Sequence, residues 1–279
     1  MEIIKFIQHF SSPFLDTFFQ GVTMLGEDYF LMLLAALIFW CFHKEFGYRL
    51  GFTYLSGTEL NIAVKEIFMI PRPIGTPGIR SLRLETAGGY SFPSGHTQCA
   101  ALFYTSIMTW FRKPCLYWAG GVFIFLVALS RLYLGVHWPI DVIGGALLGI
   151  VWVFFSNWLF NYAETTGKKS IFLIVIIPIL LGIFFFPTTN YFKTAGAALG
   201  FFCGYLIEPR FIRYKVEAPL LKQILKYLFG IIFLVAIRLF IKKLLPETPF
   251  SDFIRYFLMS IWVTILAPVL FMRFKIFHN

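Results

Sequence analysis

Apolar runs of about 20 residues recur along almost the whole chain, and they constrain its fold more than any other feature. A helix needs about that length to cross the hydrocarbon core of a bilayer, whereas the strands of a membrane barrel are shorter and alternate in polarity. The 279 residues are 58% hydrophobic and only 14% charged, which is outside the range of soluble domains. We therefore predict an all-α fold, a polytopic transmembrane helical bundle of about nine spans. Their approximate bounds are 28–42, 50–70, 96–111, 116–134, 140–161, 170–186, 190–207, 224–244 and 253–272.

The basic residues predict how these spans are oriented. The formal net charge is +10, but the lysines and arginines cluster in short connections between apolar runs. This distribution is typical of membrane topology and not of a nucleic-acid surface, so no nucleic-acid partner is expected. By the positive-inside rule the basic loops are cytoplasmic, which places the loops at 71–95 and 135–139 on the extracytoplasmic side. The basic loops contain Lys44, Arg49, Arg112, Lys113, Lys168, Lys169, Arg210 and Arg213, while Lys242 and Lys243 depart from the pattern.

A long loop over 74–92 leads into the tetrapeptide Pro93-Ser94-Gly95-His96. Ser94 is a favourable N-cap for the apolar helix that follows, and the amides of Gly95 and His96 would then point at whatever lies there. Helix N-termini bind anions readily. Taken alone, this segment is better explained as an ordinary capped helix start than as an anion site.

A second polar group follows the fourth predicted span. Ser130-Arg131 lies near its end, and His137 and Asp141 come shortly afterwards. Pro139 suits the first turn of the next helix, from which Asp141 can reach back to His137, accept its ring proton and fix its tautomer. The alternatives are that Asp141 only complements the helix dipole and that His137 is an interfacial residue.

Lys65 and Arg72 lie at the end of the second predicted span, where either side chain could simply extend to the interface. What favours a shared site is that all the polar groups fall at the same predicted end of neighbouring helices. Cations and amides hold the charge of a phosphoryl group while a nucleophile attacks in line. The set comprises Lys65, Arg72, Arg131, His96, His137 and Asp141, beside the helix start at Ser94 and Gly95.

In this order the motifs resemble the three-part signature of the type-2 phosphatidic acid phosphatase superfamily, over about residues 15–155. The resemblance implies that His137 is a nucleophile that forms a phosphohistidine, that Asp141 is its partner, and that His96 protonates the leaving oxygen. It also implies that no metal or cofactor is required. An iron site formed by His96, His137 and Asp141 is the alternative, although three nearby cations would repel the ion. The residues implied to hold the phosphate are Lys65, Arg72, Ser94, Gly95 and Arg131.

We therefore expect a catalytic membrane core over residues 1–162 and a C-terminal transmembrane extension of unknown role over 163–279. The expected function is hydrolysis of a lipid-linked phosphate or pyrophosphate at the extracytoplasmic face of a bacterial cell membrane. Head group and oligomeric state are left open. The alternatives are a phosphatase for a soluble sugar phosphate, a phosphotransferase to a lipid or glycan, and a transporter. The polar residues Glu59, Lys65, Arg238 and Arg255 favour a transporter, but matching broken segments are not found in both halves.

Overall fold

The computed structural model describes residues 1–274. This part of the chain is built from helices and contains no β-strand, so the all-α prediction is confirmed for it. Helices α1 to α6 are Glu2–His9, Pro13–Thr23, Asp28–Leu37, Lys44–Phe68, Gly95–Phe111 and Pro114–Tyr133. Helices α7 to α12 are Pro139–Thr166, Leu173–Phe185, Thr189–Ile207, Leu220–Leu244, Pro249–Ile261 and Ala267–Arg273.

The number of membrane spans is smaller than the sequence predicted. Within residues 1–274, four helical segments are long and apolar enough to cross a bilayer: Pro114–Tyr133, Pro139–Thr166, Leu220–Leu244 and Pro249–Arg273. The bent pair Pro13–Gly26 and Asp28–Phe42, which meet at 49°, would be a fifth. Each of the nine predicted segments does contain a helix, but several helices are too short or too polar. Helix α8 has 13 residues, and α4 includes charged side chains along its length.

One compact unit combines Met1–Leu31 with Leu60–Ser156. Its core includes a cluster on α5 and α6 formed by Ala100, Ala101, Met108, Ile124 and Val127. A second cluster packs Phe19 of α2 against Tyr133 and the residues that follow α6. All eight predicted site residues belong to this unit.

The other unit combines Met32–Glu59 with the chain from Asn157 onward. Here α9 and α11 lie in close contact, because α9 presents glycines to the backbone of α11. A Cβ atom on Gly196 would lie 2.2 Å from the carbonyl oxygen of Phe253, and one on Gly200 would lie 2.5 Å from that of Phe257. Small residues at such positions allow helices to approach closely within a membrane.

Candidate active site

The loop between α4 and α5 is held in place by the N-terminal helices. Gln8 of α1 donates from Nε2 to the carbonyl oxygen of Arg80 at 2.7 Å and accepts from the amide of Arg80 at 3.0 Å. The guanidinium of Arg80 forms a bidentate pair with Asp16 of α2, at 2.6 and 2.7 Å. Further along, Arg83 pairs with Glu27 and donates to the carbonyl of Gln20. The loop is therefore fixed at several points, and its central residues have defined positions near the start of α5.

His137 and Asp141 form the predicted pair across the first turn of α7. The Nδ1 atom of His137 lies 3.2 Å from Oδ2 of Asp141, and both side chains are buried. On the other side of the ring, Nη1 of Arg72 lies 2.9 Å from Nε2. Since a guanidinium can only donate, Nε2 is the acceptor and Nδ1 carries the proton that is donated to Asp141. This arrangement assigns the tautomer in which the lone pair of Nε2 faces Arg72.

The same carboxylate also fixes the loop that contains His137. Oδ2 of Asp141 accepts a hydrogen bond from the amide of Trp138 at 2.7 Å and another from the hydroxyl of Ser91. Ser91 Oγ is also 3.4 Å from Nδ1 of His137. Asp141 thus orients the imidazole and at the same time ties the segments on both sides of it to the start of α7.

The environment of His137 favours the uncharged imidazole. His137 belongs to the loop between α6 and α7, and its side chain is almost completely buried. Burial, and then the positive charges of Arg131 and Arg72, lower the pKa of His137 well below its ordinary value. At neutral pH the ring is therefore uncharged, and Nε2 has the unprotonated lone pair that an attacking nitrogen requires.

The side chains of Lys65 and Arg72 both donate hydrogen bonds to backbone carbonyl groups in the segment just before Pro93. Nζ of Lys65 donates to the carbonyl oxygens of Tyr90 and Ser91, at 2.7 and 3.1 Å. Arg72 donates from Nε and Nη2 to the carbonyl oxygens of Gly89 and Gly88, at 3.0 and 2.8 Å. Its Nη1 also donates to the carbonyl oxygen of Val136 at 2.9 Å. The backbone therefore holds both cations in place beside the imidazole.

Arg131 differs from these two cations because part of its guanidinium has no partner. The residue is fully buried, and Nη1 donates to the hydroxyl of Thr23 at 2.9 Å. Its Nε and Nη2 atoms are buried without a hydrogen-bond partner, as is Nε2 of His96. Leaving buried N–H groups unpaired costs about 1–3 kcal/mol each, and more on a charged side chain. Such donors are suited to an anionic ligand, which supplies the missing acceptors.

The start of α5 lies close to α7 and to the turn at Met24–Gly26 that follows α2. The amide of Ser94 donates to the carbonyl oxygen of Asp141 at 2.9 Å, which joins the first turns of α5 and α7. A Cβ atom on Gly145 would lie 2.5 Å from the carbonyl oxygen of Ser94, and one on Gly26 would lie 2.6 Å from that of His96. These two glycines let the helices approach closely enough to place His96 in the same unit as the His137 loop. Gly95 follows Ser94 as the first residue of α5.

The predicted cap of α5 is wrong in one respect. Ser94 occupies the N-cap position, but its side chain accepts no hydrogen bond from a helix amide. Its hydroxyl instead accepts from the hydroxyl of Thr97 at 3.1 Å. Below this turn, Nδ2 of Asn61 donates to Oε1 of Gln98 at 2.5 Å and to the carbonyl oxygen of Pro93 at 3.4 Å. The turn is thus supported by buried polar side chains from α4 and α5.

Sequence reasoning missed Thr23 and Ser91. Thr23 is the hydroxyl partner of Arg131, although 108 positions separate them. Ser91 contacts both Asp141 and His137, and yet it belongs to a loop without periodicity. Neither residue is part of a recognisable motif. Only the fold, which brings α2 and the loop to the α6–α7 connection, identifies them.

Two of the polar residues that favoured a transporter, Glu59 and Arg255, have local partners in the other unit. Oε2 of Glu59 accepts from the hydroxyl of Thr194, and Arg255 forms an ion pair with Asp252 one turn away. Over residues 1–274 no three His, Cys, Asp or Glu side chains form a group that could hold a metal ion. The alternative iron site is therefore not assembled by the residues that the structure describes.

Two family models match the chain in succession. The model of the PAP2 superfamily covers residues 46–165, and that of the PAP2 superfamily phosphatase transmembrane extension covers 192–279. The chain is 33% identical to phosphatidylglycerophosphatase B of Bacillus subtilis, over 51% of this chain and 73% of that protein. It is 31% identical to a probable sphingosine-1-phosphate phosphatase of Dictyostelium discoideum, over 71% of this chain and 55% of that protein.

A solved structure agrees with these matches. The crystal structure of Aquifex aeolicus LpxE has a TM-score of 0.50 and 32% identity, and the alignment covers 56% of this chain and 93% of that one. Fold and matches together define an integral membrane protein whose relatives are named as phosphatases. The chain belongs to the PAP2 superfamily. It spans about half the length of the first curated relatives it matches. Because its relatives include bacterial and eukaryotic proteins, placement in a bacterial cell membrane stays a prediction.

Proposed function

We propose that this protein is a membrane phosphatase that hydrolyses a lipid-linked phosphate through a phosphohistidine on His137. The observation that carries the proposal is the geometry around that ring. Asp141 holds the proton on Nδ1, Arg72 lies beside Nε2, and Arg131 in the same unit has buried donors without partners. This combination supports a nucleophile next to an anion-binding group.

In the first step, Nε2 of His137 attacks the phosphorus atom and forms an N–P bond, while the bond from phosphorus to the leaving oxygen breaks. His96, which enters this step as the imidazolium, donates a proton to that oxygen and becomes neutral. The imidazole becomes positively charged, and Asp141 stabilises it through the hydrogen bond to Nδ1. The cations Lys65, Arg72 and Arg131 and the start of α5 hold the phosphoryl oxygens.

In the second step, water attacks the phosphohistidine. His96, now without its proton, accepts one from the water, the N–P bond breaks, and inorganic phosphate leaves. The imidazole returns to the neutral tautomer with its proton on Nδ1, and both histidines are restored. Atoms and charges balance with water as the sole co-substrate.

The lipid substrate is supported by the membrane setting and by what the relatives are named for. They include a phosphatidylglycerophosphatase and proteins named as sphingosine-1-phosphate phosphatases. Undecaprenyl-diphosphatases are also among them, so a diphosphate remains within the proposed substrate class.

The test of this function is phosphate release from a lipid phosphate by the full-length protein in detergent. We expect vanadate to inhibit and chelators to leave the rate unchanged. Five-coordinate vanadate resembles the in-line transition state and would meet the same cations, whereas those cations replace a metal ion as the source of positive charge. No phosphate release from any lipid phosphate would refute the proposal. Strong inhibition by a chelator that a divalent metal reverses would refute metal independence.

We further propose that the site faces away from the cytoplasm. The support is the segment 135–139 around His137, which has no lysine or arginine, while the short loops assigned to the cytoplasm each have at least two. The loop at 71–95 contains Arg72, Arg80 and Arg83, of which Arg80 and Arg83 are paired with Asp16 and Glu27. A lipid substrate would then have to be in the outer leaflet. With four or five spans instead of nine, the orientation requires a direct measurement.

We expect a cysteine at position 88, but not one at position 166, to react with a membrane-impermeant maleimide in intact cells. The background is a variant without Cys41, Cys99, Cys115 and Cys203. Gly88 is exposed, its φ is not in the left-handed region, and a Cβ atom there meets no neighbour. Thr166 is exposed at the end of α7. Labelling at 166 alone would invert the topology and move the reaction to the cytoplasmic leaflet.

A further inference from the structure

An apolar groove of about 610 Å³ runs between α5, α6 and α7, and it is separate from the polar cluster around His137. It belongs wholly to the unit that contains the candidate site. Its walls are mostly aliphatic and aromatic side chains. Among the lining residues are Gly121, Leu129 and Leu132 of α6 and Val142, Ile150 and Phe154 of α7.

One end of the groove lies at the level of two candidate site residues on α6 and α7. Leu132 directly follows Arg131, and Val142 directly follows Asp141. From there the walls descend along both helices, to Tyr117 on α6 and to Phe154 on α7. At 1.5 Å per residue, these walls extend about 18 to 22 Å from the site level. Both helices are long and apolar enough to span a bilayer, so the groove lies at hydrocarbon depth.

We propose that this groove holds the alkyl chain of the lipid phosphate and limits its length. The inference rests on the proposed function and adds the part of the substrate that the polar residues do not touch. The observation behind it is the level at which the groove begins: its walls start at Leu132 and Val142, each one residue along its helix from a candidate site residue, Arg131 and Asp141. A phosphate held by the cations would place the first carbons of the chain at the groove entrance, with the remainder directed along α6 and α7.

The chemistry of the walls agrees with this occupant. An alkyl chain requires no hydrogen bonds. Of the two lining threonines, Thr109 donates from its hydroxyl to the carbonyls of Thr105 and Ser106, whereas the hydroxyl of Thr105 is buried without a partner. Lipid tails surround the helices in any case, so occupying the groove gains little from the hydrophobic effect. The groove therefore acts by shape: it places a chain of suitable length so that the phosphorus atom faces Nε2 of His137.

Gly121 provides a way to shorten the groove without strain. It lines the groove, its φ is not in the left-handed region, and a Cβ atom there meets no atom within 4 Å. Ten residues separate it from Arg131, which corresponds to about 15 Å along α6. A larger side chain would thus block a long alkyl chain and spare a short one. The neighbouring Val122 is exposed and does not line the groove, so Val122→Phe is a matched control.

The test compares octyl phosphate with hexadecyl phosphate, each at a fixed mole fraction in detergent micelles with the full-length protein. We expect Gly121→Phe to lower kcat/KM for the hexadecyl ester by about 10-fold or more, because small misplacements of reacting atoms are costly. In Gly121→Phe, kcat/KM for the octyl ester should stay within about twofold of the wild-type value. In Val122→Phe, kcat/KM for both esters should stay within the same range. Gly121→Leu, which is smaller, should give an intermediate effect on the long ester.

The outcomes separate this inference from the proposed function. If wild-type protein hydrolyses neither ester, the proposed function fails, and the groove assignment fails with it. If wild type hydrolyses both and Gly121→Phe does not discriminate between them, the groove is only filled by bilayer lipid and the inference is wrong. An equal loss on both esters in the Phe and Leu variants would also overturn it, since a limit on chain length must spare the shorter chain.

Discussion

Replacing His137 with alanine is expected to reduce phosphate release to the background rate. The variant removes the only ring nitrogen that faces Arg72, at 2.9 Å in the described structure, and with it the proposed N–P bond. Removal of a nucleophile in other hydrolases lowers kcat by about 10⁶-fold. The measurement is kcat on a lipid phosphate, together with trapping of the phosphoenzyme by a quench without acid. We expect the phosphoryl group to map to His137 in the wild-type protein.

His9→Ala is the control for this variant. His9 is exposed in the last turn of α1, and the proposed mechanism assigns it no role. The control should retain wild-type kcat and the phosphoenzyme. Full activity in His137→Ala, or a phosphoryl group on another residue, would refute the assignment of the nucleophile.

The sequence predicted the placement of the helices well because apolar length is a local property. The predicted segments 96–111 and 116–134 differ by a few residues from α5, Gly95–Phe111, and α6, Pro114–Tyr133. Four or five segments of residues 1–274 qualify as spans by length and composition, fewer than the nine predicted, because the length of a run does not count the charges inside it. Helix α4 shows this: 25 residues long, it contains Arg49, Glu59 and Lys65 and is too polar to qualify.

The site could be predicted as far as its residues follow motif spacing. His137 and Asp141 are four positions apart, and a helical turn brings such residues together, as the structure has them. Thr23 and Ser91 could not be found, because their partners are distant in sequence and depend on how α2 and the loop pack. The hydroxyl of Ser94 took an unexpected partner, Thr97, since a side-chain donor competed with the helix amides.

Two buried cations show what the structure adds to such motifs. Lys226 is almost fully buried, and its Nζ donates to the carbonyls of Trp40 and Val216 and to the hydroxyl of Tyr214. Arg131 is equally buried but keeps two nitrogens without a partner. The hydrogen bonds of Lys226 account for its burial, whereas the unpaired donors of Arg131 are the ones that the proposed function assigns to a phosphate. In the sequence both are simply basic residues in apolar surroundings.

Asp141→Asn is expected to lower kcat by about 10²- to 10⁴-fold with little change in KM. Oδ2 of Asp141 accepts from His137 Nδ1, from the amide of Trp138 and from Ser91. An asparagine can keep the Trp138 contact, and with it the loop, but it cannot stabilise the positive imidazole that forms during attack. It can also turn its amide donor toward Nδ1, which favours the other tautomer and places the proton on Nε2.

Ser91→Ala is the matched control for Asp141→Asn, because it removes one donor to the carboxylate and leaves the pair with His137 intact. We expect Ser91→Ala to lower kcat by about 10-fold or less, which corresponds to the loss of a single hydrogen bond of about 1–1.5 kcal/mol. Thermal unfolding of both variants should show that the fold is retained, and the rate of phosphoenzyme formation should fall in parallel with kcat in Asp141→Asn. If Asp141→Asn formed the phosphoenzyme at the wild-type rate, Asp141 would serve only to fix the loop, and the orientation of His137 would have to come from Arg72 and Ser91.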